Sequence, residues 1–260
     1  MMIFLIIVAS IAGLITLFVF NSMAVEKNQI RTLAITYNRG IGADYESYLS
    51  NPDYTYDDRV YEYFNYFASG SGTPSPLPGG VSVVDKSVEV IFESDQDIES
   101  FASHFFAMRR PKLKERMDAL IKRSNSLDMY DQETREKISQ TIYKAIMEFS
   151  GAVVTINVGA NRYKLKLSNI KPELVLAILA VESGFNPLAY ARETSINPDI
   201  SDEVYSRGIA QIYEFTLWSM NDWLKESGCN IKIDELWSIR NSVFLNMVYL
   251  AYAKMVLYSE

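Results

Sequence analysis

Apolar and polar positions follow three different patterns along this chain, and each predicts a different kind of element. The first twenty residues, MMIFLIIVASIAGLITLFVF, contain no charged side chain. At about 1.5 Å of rise per helical residue, such a run covers roughly the 30 Å hydrocarbon layer of a bilayer. It reads as an uncleaved transmembrane anchor over 1–25. A secretory signal is the rival reading, because Ser22-Met23-Ala24 resembles a small-x-small cleavage site. Against it, no Lys or Arg precedes the run, and the run is longer than the usual apolar core of a signal. Lys27 and Arg31 on its C-terminal flank weakly favour a cytoplasmic body.

Beyond the anchor the helical period takes over. Glu26 to Leu49 reads as a helix that breaks near Gly40 and Gly42, and Tyr56 to Phe67 as a second helix rich in Tyr and Phe. The segment SGSGTPSPLPGG, 69–80, is a linker, since its Gly, Pro and Ser leave little reason to fold. VSVVDKSVEVIF then alternates as a short strand or two, and Asp97 to Ser124 reads as helices broken at Pro111. Asp131 can cap a helix running to about Phe149. AVVTINVGANRYKLKL predicts a hairpin around a Gly-Ala-Asn turn, and from Pro172 onward the helical period dominates. The fold class is mainly α (α+β), with a small β element.

Composition narrows the chemistry. At 260 residues with a net charge of -7, the chain lacks the excess Lys and Arg of a phosphate-reading surface, so nucleic acid is not a predicted partner. One cysteine, Cys229, and one histidine, His104, exclude an intrachain disulfide and make a Cys- or His-based metal site improbable. No cofactor is predicted. HExxH, Walker, GxSxG and GxGxxG-helix motifs are all missing from the sequence.

One stretch carries chemistry. KPELVLAILAVESGFNP, 171–187, places Pro172 early in a helix, follows it with an apolar run, and ends that run in Glu182 before Gly184 and Pro187 stop the helix. A carboxyl group partly desolvated at a helix C-terminus is biased towards its protonated form. A general acid for glycosidic cleavage needs that bias. A solvated last-turn glutamate is the plain alternative.

AILAVESGFNPLA resembles the catalytic-glutamate motif of the soluble lytic transglycosylases, which have a lysozyme-like fold. YSRGIAQIYEFTLWSM is similar to that family's Ser-x-Gly-Leu-Met-Gln motif, and IRNSVFLNMVYLAYAKM loosely resembles its next helix, with Tyr249-Leu250 in place and Asn246 at the glycine position. The family's Ala-Tyr-Asn-x-Gly-x-Gly motif is expected after that helix. A stretch resembling it, LAITYNRGIGADYESYL, stands instead near the start, followed by a Thr-x-x-Tyr-Val-like segment in YTYDDRVYEYFNYF. The resemblance therefore implies a circularly permuted lytic transglycosylase domain, an arrangement open to a fold whose termini lie at the surface. Its implied parts are 26–68, the displaced C-terminal portion; 69–80, the linker; 81–127, an extra region of unrecognised role; and 128–260, the catalytic portion.

That resemblance implies cleavage of the MurNAc-GlcNAc β-1,4 bond of peptidoglycan by a single carboxylate, closing a 1,6-anhydro ring without water. Glu182 would be acid and then base. Ser183 and Ser206 would hydrogen-bond around the acid and the sugar. Gln211 would hold a substrate hydroxyl or amide, and Gly208 would admit the sugar close to the backbone. Tyr37 would orient Glu182 or touch the sugar, and Asn38 would bind an N-acetyl group. Ala210 and Thr36 depart from the family pattern. The acidic stretch with Glu193, Asp199, Asp202 and Glu203 is either a solvated loop or, in a water-using muramidase, the means of placing a water. A non-catalytic wall-binding protein with the same fold is the other alternative. The body would face the periplasm or wall, in a bacterial envelope machine or a phage entry apparatus, with partners docking through 81–127.

Overall fold

A computed structural model describes residues 26–70, 72, 74–76, 111–192 and 205–258. The anchor over 1–25, the strands expected in 81–92, the helices expected in 97–110 and the acidic stretch of 193–203 lie outside the described residues. Among those described, no helix is long and apolar enough to cross a membrane. The chain divides into two compact units, Met1–Tyr61 and Glu62–Glu260, rather than at the 69–80 linker.

In the first unit, α1 (26–39) ends where Gly40 adopts φ +93° and donates its N–H to the Thr36 carbonyl. The left-handed φ is what a glycine tolerates and a β-carbon resists, so the predicted break falls where the sequence placed it. A short α2 (Tyr45–Ser50) comes next, capped by Asp44, which accepts from the Ser47 N–H. α3 (Tyr56–Ser69) then begins. The guanidinium of Arg31 on α1 meets Asp57 at 2.7 Å and Asp58 at 3.2 Å. Asp57 is fully buried, and burial pushes its carboxyl up from the usual range while Arg31 pulls it back.

The second unit contains the larger core. The end of α3 contributes Tyr63, Phe64 and Phe67, all buried. Ser75, expected in a structureless linker, is fixed to this helix: its N–H donates to Glu62 at 2.6 Å and its carbonyl accepts from the Tyr63 hydroxyl at 2.6 Å. α4 (Pro111–Arg123) starts at the predicted proline and packs on α5 (Gln132–Ser150). Asp131 caps α5 through the Thr134 N–H at 2.8 Å. Within the extra region, residues 111–127 pack into this core through α4.

β1 (Val153–Val158) and β2 (Asn161–Lys166) pair antiparallel about a two-residue Gly159-Ala160 turn. α6 (Pro172–Ser183) is the apolar axis: Leu174 to Ala180 are buried without exception. A helix apolar on every side has to be surrounded, and α5 and α8 (Ile239–Tyr258) both pack against it. Between α6 and α8 lies a three-stranded antiparallel sheet in the order β3 (Tyr190–Arg192), β4 (Tyr205–Arg207), β5 (Ile212–Tyr213), then α7 (Glu214–Leu224). Helical periodicity from Pro172 onward gave no sign of this sheet. Strands of two or three residues are too short to establish an alternation.

Replacing Arg31 by Leu strands the buried Asp57 carboxylate and is expected to cost about 3 kcal/mol of stability near neutral pH. The folded-state pKa of Asp57 lies above its unfolded value, so its contribution is most favourable in acid and is lost as pH rises through that range. Without Arg31 the elevation grows. Thermal melts of parent and Arg31→Leu should therefore differ more at about pH 7 than at about pH 4.

Candidate active site

Glu182 occupies the last turn of α6 and is half-buried, where that helix leaves the core at its C-terminal end. The turn after it is tightly specified. Gly184 takes φ +60° and closes the helix with its N–H on the Ala180 carbonyl, while the N–H of Phe185 reaches Leu179. This is a paired left-handed C-cap. Phe185 is itself left-handed at φ +69° and fully buried, an uncommon conformation for an aromatic residue and a local store of strain.

Neighbouring segments hold that turn in place. The Ser124 hydroxyl donates to the Gly184 carbonyl at 2.8 Å. The Tyr130 hydroxyl donates to Asn186 Oδ1 at 3.2 Å, and the same oxygen accepts from the Leu188 N–H at 3.0 Å. Burial pushes the Tyr130 phenol up to about 12, so it remains a donor at neutral pH.

The second motif forms a loop tied to the end of α6. Ser183 Oγ donates to the Ile209 carbonyl at 2.7 Å, with the Leu179 carbonyl 3.1 Å away. Gly208 at φ +76° and Gln211 at φ +48° shape the loop. Gln211 Nε2 donates to the Ala189 and Gly208 carbonyls at 2.9 and 2.8 Å, and the Gly208 N–H also reaches Ala189. Gln211 thus closes its own turn, and its Oε1 is the atom it has to offer a substrate.

Two expected roles change on this geometry. Ser183 and Ser206 are both buried, and the Ser183 proton is committed to backbone carbonyls rather than to the acid or a sugar. A β-carbon on Gly208 would lie 2.1 Å from the Leu236 carbonyl oxygen and 2.7 Å from Ser242 Oγ. The glycine is required by the protein's own backbone, which approaches on the side where a side chain would stand. Glu182, Ser183, Ser206, Gly208 and Gln211 all belong to the second unit. Tyr37 and Asn38 belong to the first, where Asn38 Oδ1 accepts from the Tyr54 hydroxyl at 3.0 Å and Tyr37 is half-buried.

Sequence reasoning missed the aromatic face of the sheet. Tyr190 pairs in register with Arg207 and stacks on Tyr205, ring centroids 4.3 Å apart at 16°, with the Arg207 guanidinium 5.7 Å over Tyr190. The signal was present as two Tyr-x-Arg triplets, Tyr190-Ala191-Arg192 and Tyr205-Ser206-Arg207. Among the described residues no group of His, Cys, Asp or Glu could hold a metal ion.

Residues 159–252 match the transglycosylase SLT domain. The match spans both motifs, and with them Glu182, Ser183, Ser206, Gly208 and Gln211, and is consistent with membership of the soluble lytic transglycosylase family. Tyr37 and Asn38 fall outside it. No curated protein and no solved structure matches the chain. Within the SLT segment, Asn246 stands where the resemblance has a glycine. It is 1% exposed, and neither amide atom has a hydrogen-bond partner among the described residues.

Gly208→Ala would force the SLT loop off Leu236 and is expected to cost about 3 kcal/mol or more, read as a drop in denaturant midpoint. Tyr130 titrates higher folded than unfolded, so its contribution is intact below pH 10 and is lost as pH rises to about 12. Across that window parent stability should fall more steeply than that of Tyr130→Phe. Equal slopes would mean that the phenol is not held as described.

Proposed function

We propose that the chain is a membrane-anchored peptidoglycan lytic transglycosylase in which Glu182 is the single acid/base. The observation that carries this reading is the Ser183–Ile209 hydrogen bond, which joins the turn bearing Glu182 to the loop bearing Gln211 inside the SLT segment. A half-buried glutamate at the end of an apolar helix, in a turn tied to a polar loop, suits proton transfer to a glycosidic oxygen.

In the proposed reaction Glu182 gives its proton to the oxygen linking MurNAc to GlcNAc as the C1–O bond breaks. The carboxylate left behind takes the proton of the muramoyl 6-hydroxyl, whose oxygen bonds to C1. The protons balance, no water is consumed, and the product ends in 1,6-anhydroMurNAc. Only one carboxylate is needed, unlike the paired carboxylates of most glycosidases. Gln211 Oε1 accepts a substrate hydroxyl or amide N–H. In a circularly permuted domain Tyr37 and Asn38 would serve the same substrate, a reading supported by the Tyr-Asn-x-Gly-x-Gly motif and the Thr-x-x-Tyr-Val-like segment that follows it.

The anchor reading rests on the uncharged run of 1–20. We place the body on the wall side, in an envelope or phage entry machine, because the substrate is there. The cytoplasmic reading rests on Lys27 and Arg31, and two basic residues on one flank are a weak orientation signal.

Digestion of purified peptidoglycan by the full-length chain in mild detergent should release anhydro-muropeptides detectable by mass spectrometry. Glu182→Gln should release at least about a thousandfold less. Reducing-end products would make the protein a water-using muramidase. No release from the folded parent would leave a wall-binding module. Tyr37→Ala and Asn38→Ala should each lower turnover at least about tenfold if the permuted motif serves the same cleft, and full activity in both would refute the permutation.

A further inference from the structure

Trp218 is the largest side chain left in solvent on α7. Its indole is 53% exposed, and Phe215 fixes it edge-to-face, centroids 4.9 Å apart at 90°. A perpendicular contact covers at most one face of the indole, so a flat apolar surface stays open in a set orientation. Tyr213 continues the aromatic row at 5.4 Å from Phe215, and its backbone pairs with Ser206 in the sheet. The row therefore starts two residues after Gln211, on the strand that extends from the candidate catalytic loop.

The polar residues around the indole identify its partner. Glu214, Trp218 and Asp222 recur at every fourth position and so share one stripe of α7, with a carboxylate on either side of the ring. Neither carboxylate has a salt-bridge partner among the described residues, Glu214 is half-buried, and Asp222 is exposed. A lipid surface with anionic headgroups is repelled by such a stripe, and an apolar protein surface would have to desolvate both acids. A pyranose satisfies all three groups. Its axial C–H face lies on the indole, where the ring's negative face attracts it, and its equatorial hydroxyls donate to the flanking carboxylates.

We propose that Trp218, with Glu214 and Asp222, forms a saccharide-stacking subsite that holds the glycan strand at a distance from Glu182. The proposal rests on the peptidoglycan reading above and extends it along the strand. The subsite binds sugar units beyond the bond being cut and takes no part in proton transfer. Its loss weakens binding of long strands and leaves the chemical step intact.

The test uses the full-length chain in mild detergent and peptide-free glycan strands prepared from peptidoglycan. Trp218→Ala should raise KM for long strands about tenfold with kcat changed by less than about twofold, and Trp218→Phe, which keeps a flat ring, should restore most of the loss. Binding is read separately in the Glu182→Gln background, where glycan should shift the tryptophan emission and the added Trp218→Phe change should remove that shift. Unchanged KM together with unchanged emission, in a parent that cleaves glycan, overturns the subsite and leaves the catalytic reading standing. Trp218-dependent binding in a parent that cleaves nothing supports the subsite and overturns the catalytic reading. An emission that moves on reconstitution into anionic vesicles and ignores glycan overturns the proposal and assigns the indole to lipid.

Discussion

The site depends on a hydrogen bond from a buried serine to a backbone carbonyl. Ser183 directly succeeds Glu182 in the chain, and its hydroxyl reaches Ile209 at 2.7 Å. That contact ties the end of α6 directly to the Gly208–Gln211 loop, which the Ala189 carbonyl and the β3–β4 pairing also hold in register. Together these contacts hold the turn that bears Glu182 and the loop that bears Gln211 in one fixed register. Gly208 secures the far side of the loop against Leu236, and Gln211 closes it from within through Ala189 and its own turn. The backbone of both turns is fixed by these contacts, which is the kind of support that the proposed saccharide site requires.

The same rigidity explains the strain nearby. Phe185 and Gln211 both adopt positive φ without being glycine, and both lie in turns that shape the site. Asn246 adds a buried amide with neither atom hydrogen-bonded among the described residues, a cost of about 1–3 kcal/mol that a glycine there would avoid. The apolar α6 and the packing of α5 and α8 around it offset these costs. Ser124 and Tyr130, which precede the SLT segment in the chain, brace the turn after Glu182 from outside.

Much of this was readable from residues. The cap at Asp131, the start of α4 at Pro111, the break at Gly40 and the hairpin before α6 all come from local chemistry that acts over three or four residues. Glu182 stood out because an apolar helix ends in a single carboxylate within a stretch that resembles the catalytic-glutamate motif. The roles of Ser183 and Gly208 were not, because each is set by a partner far along the chain: Ile209 for the serine, Leu236 and Ser242 for the glycine. The β3–β5 sheet was invisible for a related reason, since its strands are too short to show a period and are defined by pairing across a loop. The division at Tyr61 was also hidden, because composition marked the Gly- and Pro-rich stretch while Ser75 is in fact held to α3 by Glu62.

The central claim is that Glu182 and the Gly208–Gln211 loop together make one glycan site. The most direct measurement is a crystal structure of the full-length Glu182→Gln protein soaked with a peptide-free MurNAc-GlcNAc oligomer. The account predicts a saccharide with its glycosidic oxygen in hydrogen-bonding reach of residue 182 and a hydroxyl or amide group on Gln211 Oε1. A saccharide bound only elsewhere, with these two side chains untouched, would contradict it.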